Sequence, residues 1–160
     1  MVAKIRGIRP VLGVGAIGLL VLAMAFVCTA QAKDLNQALL DAARDGQLTE
    51  IDRLLDEGAD INARNPNGWT GLMFAVGAAH VGLAKKLLEK GADPDMADND
   101  GVTPLMKAVK NADTEMVKLL LEHGADTALT DNSGKSPMDY AKGKSHKEVK
   151  KLLLKHGIAQ

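Results

Sequence analysis

Apolar residues in this chain come in short helical runs broken by small polar clusters. The run Gly101-Val102-Thr103-Pro104-Leu105-Met106-Lys107-Ala108 meets a polar break at Asn111-Ala112-Asp113. Met116-Val117-Lys118-Leu119-Leu120-Leu121 follows and closes on His123-Gly124-Ala125-Asp126. Spacing of this kind predicts two short helices joined by a tight turn. Thr103 is placed to cap the first, with Pro104 in its first turn, where a missing N–H costs nothing. The second begins near Asp113 and runs to about Glu122.

The same unit recurs at a fixed period of 33 residues. One period upstream stand Gly68, Thr70, Leu72, Ala75, Leu87, Leu88, Gly91, Ala92 and Asp93; one period downstream stand Gly134, Ser136, Met138, Ala141, Leu153, Leu154 and Gly157. A further copy holds Leu39, Ala42, Gly46, Leu54, Leu55, Gly58, Ala59 and Asp60. Gly58, Gly91, Gly124 and Gly157 keep register and are expected in the left-handed position that ends a helix. A period of this length means a solenoid, because each unit is too small to bury its own apolar face. The expected fold is an all-α solenoid of four helix-turn-helix repeats, at about 34–64, 65–97, 98–130 and 131–160. Hairpin-like turns rich in Asn and Asp, each ending in glycine, join them: Asn62 to Gly68, Asp95 to Gly101 and Ala128 to Gly134.

The outer repeats read as caps. The first lacks the Gly-x-Thr-Pro-Leu opening, and Asp34 stands three residues before Gln37, a capping-box spacing. In the fourth, Lys147 and Lys150 replace Val81 and Ala84 of the second, as suits a face on which nothing stacks.

Residues 1–32 are different. Lys4, Arg6 and Arg9 precede an uncharged run from Val11 to Val27, and Ala30-Gln31-Ala32 offers small residues where a signal peptidase reads. This predicts a signal peptide cleaved after Ala32, hence export to a bacterial periplasm. The competing reading is an uncleaved inner-membrane anchor, for which the run is short and carries Gly13, Gly15 and Gly18. Of these two readings of the segment, only the second brings membrane contact. Cys28 is the chain's one cysteine, so cleavage leaves no thiol for a disulfide or thiolate metal site.

Charge narrows the function further. The whole chain is formally neutral, but residues 33–160 hold 17 basic and 20 acidic residues. Trp69, Phe74 and Tyr140 are the only aromatic residues there. Neither a basic face nor stacking platforms point to nucleic acid. From Lys135 onward the balance reverses, with seven basic residues and two acidic.

Tests for catalytic chemistry fail. No Gly-x-Ser-x-Gly elbow or clustered Gly-rich phosphate loop occurs, so no enzyme, small-molecule substrate or cofactor is expected. His80 and His146 are two periods apart, and His123 and His156 one. Copies in adjacent repeats lie roughly 10 Å apart, too far to share a metal. The cluster Asp95, Asp98, Asn99, Asp100 lacks the EF-hand spacing, and Asp98 aligns with Asn65 and Asp131, so turn chemistry accounts for it. Met73, Met106, Met116 and Met138 are read as core, with a soft patch at Met73 and Met106 as the rival reading.

The period, together with Thr103-Pro104-Leu105, resembles the ankyrin repeat. Asp34 to about Gly157 is covered. Gly71 stands where that family prefers proline, and Met73, Met106 and Asp139 stand where histidine often follows Thr-Pro-Leu. The resemblance implies a non-catalytic, monomeric module that binds another protein on the concave surface of turn tips and first helices. Period matching puts Arg64, Pro66, Asn67, Trp69, Gly77 and Ala78 of the second repeat on that surface. Ala97, Asn99, Val102, Lys110 and Asn111 of the third join them, with Thr130, Asn132 and Lys135 of the fourth. Trp69 is the foremost anchor, since Trp is enriched in binding hot spots. Export adds the role of adaptor or protective partner of an envelope protein. Two other readings stay open: a metal or oxidant buffer, and a membrane-surface protein using the basic last repeat.

Overall fold

A computed structural model describes residues 35–157. The expected signal segment and the Asp34 cap lie outside the described residues. Among the described residues eight α-helices follow one another in four helix-turn-helix pairs: α1 (35–44) with α2 (Leu48–Asp56), α3 (Gly71–Gly77) with α4 (Val81–Glu89), α5 (Pro104–Lys110) with α6 (Thr114–Glu122), and α7 (Pro137–Tyr140) with α8 (Lys147–Gly157). A 3-10 turn at Lys144–His146 leads into α8. No strand occurs among the described residues.

The pairs stack in two layers. First helices pack side by side, α3 on α5 and α5 on α7; second helices do the same, α4 on α6 and α6 on α8. Between the layers runs one core, in which Leu39, Leu54, Leu72, Leu83, Leu87, Leu105, Met116, Leu120, Val149 and Leu153 are buried. Met73 and Met106 are fully buried, so the soft patch is ruled out and both side chains are core.

Caps form as their chemistry dictates. Thr70 and Thr103 side chains accept from the N–H of Met73 and Met106, and Asp113 accepts from Met116 at the start of α6. In the fourth pair the Asp139 carboxylate accepts from both the N–H and the hydroxyl of Ser136, at 2.8 and 2.6 Å. There α7 has a single turn, ending where Ala141 leaves helical geometry. Gly157 departs from expectation. Gly58, Gly91 and Gly124 have φ of 98°, 93° and 84°, whereas Gly157 is the last residue of α8. The first three must turn the chain into a following repeat.

The three joining turns share one construction. Asn65, Asp98 and Asp131 each place a side-chain oxygen to accept two backbone N–H groups, from residues two and four positions on. Their own N–H groups donate to the carbonyls of Trp69, Val102 and Lys135. The Asp98 cluster is therefore turn chemistry, as its alignment with Asn65 and Asp131 predicts.

Candidate functional site

Turn tips and first helices enclose a groove of about 430 Å³ lined by Trp69, Gly77, Asp98, Asp100, Val102, Lys107, Lys110, Asn111 and Tyr140. Five of the sequence-derived candidates meet here: Trp69, Gly77, Val102, Lys110 and Asn111. A second hollow, lined by Lys110, Lys135, Asp139, Tyr140, Lys142 and His146, continues it across the fourth repeat, with Lys110 and Tyr140 common to both. Lys135 therefore belongs to the same face.

The other candidates have a different position. Arg64 donates to the carbonyls of Gly68 and Ala97, at 3.2 and 2.8 Å. The Asn99 side chain donates to the Pro66 carbonyl at 2.8 Å, and the Asn132 side chain to that of Asn99 at 3.0 Å. Backbone N–H groups of Asn99 and Asn132 donate to Asn67 and Asp100. These residues zip one turn tip to the next, so their polar groups hold the rim in shape. Ala78 and Thr130 are exposed, and Ala97 is half-buried.

The groove's centre is built on a column that sequence reasoning passed over: Phe74, Lys107 and Tyr140, spaced by one period. Lys107 and Tyr140 each reach the turn residue nine positions before them. Tyr140 donates its phenol hydrogen to Asp131 at 2.5 Å, and Lys107 pairs with Asp98 at 3.0 Å, nearly out of solvent. Phe74, whose turn partner is the neutral Asn65, packs on Trp69 instead, with ring centroids 5.2 Å apart and planes at 55°. The Lys107 ammonium also sits 4.0 Å from the centroid of the Trp69 ring. A cation over an aromatic face is attracted by the ring quadrupole. Trp69 is thus held between Phe74 and Lys107, half-buried, and pre-ordered before any partner arrives. Variation within the column, Phe to Lys to Tyr on a constant framework, was the signal available in the sequence.

This network has a measurable charge signature. Hydrogen bonding from Tyr140, then from the N–H groups of Lys135 and Ser133, holds the Asp131 carboxyl below its usual range. The Asp131 hydrogen bond, with burial and the charges of Asp131, Asp98 and Asp100, pushes the Tyr140 phenol from 10 up to about 12. Because the folded value is raised, the stabilisation is full below the ordinary value and is lost as pH climbs through about 12. Tyr140 is the only tyrosine, so tyrosinate absorbance reports it alone. Titration of the native protein is expected to show a midpoint near 12. Asp131→Asn, which preserves the turn as Asn65 does, returns the midpoint toward the ordinary value.

The histidines do not converge. His80 lies against Gly46, His123 bonds the Leu119 carbonyl at 2.9 Å, and His146 is buried at the foot of α8. Among the described residues no group of three His, Cys, Asp or Glu side chains is placed to hold a metal.

Comparison with known proteins decides what this architecture is. A family model described as ankyrin repeats, in three copies, matches residues 19–98, 39–131 and 77–160. The chain belongs to the ankyrin-repeat family. Ankyrin repeats make it a protein–protein interaction module, of a fold that is typically non-catalytic. Among curated relatives, it is 43% identical over 67 residues to the mitochondrial disaggregase of Bos taurus, covering 42% of this chain and 10% of that protein. To the mitochondrial disaggregase of Homo sapiens it is 45% identical over 62 residues, covering 37% and 9%. The matched part of this ankyrin-repeat chain thus spans about a tenth of those relatives' length.

Proposed function

We propose that this ankyrin-repeat protein is a small adaptor or protective partner of another envelope protein. It works in a bacterial periplasm as a monomer and binds through the concave groove. The convergence of Trp69, Gly77, Val102, Lys110 and Asn111 on one hollow carries the reading. These residues come from two repeats, differ between them at matching positions, and sit on a framework that does not differ. A pre-ordered aromatic side chain beside open polar groups suits a binding hot spot, since little conformational freedom is lost on association. The leader-like composition of residues 1–32 supports the compartment.

The test is crosslinking and capture in the native envelope, with the chain and with a variant in which Trp69, Val102 and Lys110 are all changed to Ala. A protein recovered with the first and lost with the second is the expected result. Equal recovery sinks the groove as the binding face.

A further inference from the structure

We infer that the groove's partner is an extended acidic segment of a protein, its carboxylates lying along Lys110, Lys135 and Lys142 and an apolar or aromatic side chain resting on Trp69. The inference rests on reading the groove as a protein-binding face and names the chemistry that face selects.

Charge pairing separates these three lysines from those on α4 and α6, and lining the hollow separates them from the equally unpaired lysines of α8 and the 3-10 turn before it. Away from the groove, Lys85 pairs with Glu89, Lys118 with Glu122, and Lys86 and Lys90 with Asp52. Lys110, Lys135 and Lys142 are exposed and have no carboxylate within ion-pair distance among the described residues. All three line the same hollow. Lys142 arrives there because α7 ends at Tyr140; its period mate Val109 is still helical and fully buried.

The acids nearby are already engaged. Asp98 accepts from two backbone N–H groups and from Lys107. Asp131 accepts from two backbone N–H groups and from Tyr140. Asp139 accepts twice from Ser136. These carboxylates build the wall, and Asp100, on the turn side, is the groove acid whose carboxylate has no such engagement. What the floor offers an incoming chain is therefore mainly ammonium donors at one end and an aromatic ring at the other.

Spacing fits an extended peptide. Neighbouring first helices pack about 10 Å apart, which about three residues of extended chain span. A bulky residue at Trp69 then brings acids to Lys110 and to the Lys135–Lys142 pair at intervals of about three residues. A flat lipid surface does not enter a concave hollow of this kind, and so suits it less well.

The experiment selects a random peptide library, displayed on phage, against the full chain. Binding of synthesised winners is then followed by the fluorescence of Trp69, the only tryptophan. Expected are peptides enriched in Asp and Glu with one aromatic or aliphatic residue, whose binding shifts Trp69 emission and weakens with salt. Changing Lys110, Lys135 and Lys142 together to Glu weakens them at least ~10-fold, whereas the same change at Lys150, Lys151 and Lys155 weakens them less than ~2-fold. Winners without acids that still shift Trp69 overturn the acidic partner and leave the groove as a protein-binding face. Equal weakening by both triple changes reduces the effect to bulk charge and overturns the inference. No winner that shifts Trp69 overturns both readings. Binding to phosphatidylserine vesicles through the same three lysines, with no acidic winner, assigns them to lipid and also overturns it.

Discussion

Leu120→Ala lowers the unfolding free energy by about 2–5 kcal/mol, and Leu87→Ala does the same, while Lys150→Ala changes it by less than about 0.5 kcal/mol. Both leucines are fully buried, on α6 and α4, in the layer of second helices. Truncating either removes apolar contact within its own pair and across the stack, and leaves a cavity that short helices cannot close without moving their neighbours. In a solenoid the interfaces between units carry much of the stability, so a lesson at an inner repeat spreads to both sides. Lys150 is the control: its period mates Ala84 and Val117 are fully buried, yet it stands exposed on α8 among the described residues. Chemical denaturation checks all three. Equal, small effects would contradict stacking as the source of stability.

Gly101→Ala is expected to cost clearly more than Gly134→Ala, although the two glycines have the same φ of 77°. A side chain at that dihedral costs roughly 1–2 kcal/mol at either site. At Gly101 an added Cβ also lies 2.8 Å from the Asn132 nitrogen and 3.1 Å from the Asp131 Cα, where no real Cβ fits without movement. The turn zipper must open there, putting at risk the bonds from Asn132 to the carbonyls of Asp100 and Asn99, each worth about 0.5–1.5 kcal/mol. At Gly134 the added Cβ meets nothing within 4 Å among the described residues. A difference of about 1 kcal/mol or more in denaturant unfolding is the expected outcome. Equal costs would mean that the turn tips are not coupled.

The period made the architecture legible, because a repeated apolar column has only one economical use: a continuous core between stacked units. The cap at Thr103 and the start of α6 near Asp113 were legible for the same reason, being fixed by local helix geometry, whereas the Asp113 cap itself came only with the structure. The site was less so. Exposure and variability drew attention to Arg64, Asn99 and Asn132, but their polar groups reach the neighbouring turn, a contact set by inter-repeat distance that no local pattern encodes. Lys107 was hidden by its type. A lysine on a helix reads as solvated surface, and only the fold brings Asp98 to one side of it and Trp69 to the other. Gly157 shares its column with three turning glycines, yet it is the last helical residue of α8, because the turn is set by the packing of a following repeat and not by the glycine alone.

That the concave groove is the binding face is the central claim, and the crosslinking experiment tests it most directly when the photoreactive group is placed at single sites. Asn111 lines the groove and is exposed; Lys118 is also exposed, on the second-helix layer. A discrete adduct in the native envelope from the group at Asn111, and none from Lys118, is the predicted result. An adduct from Lys118 alone would contradict the account, placing the partner on the convex side and leaving Trp69 and Lys107 a purely structural pair.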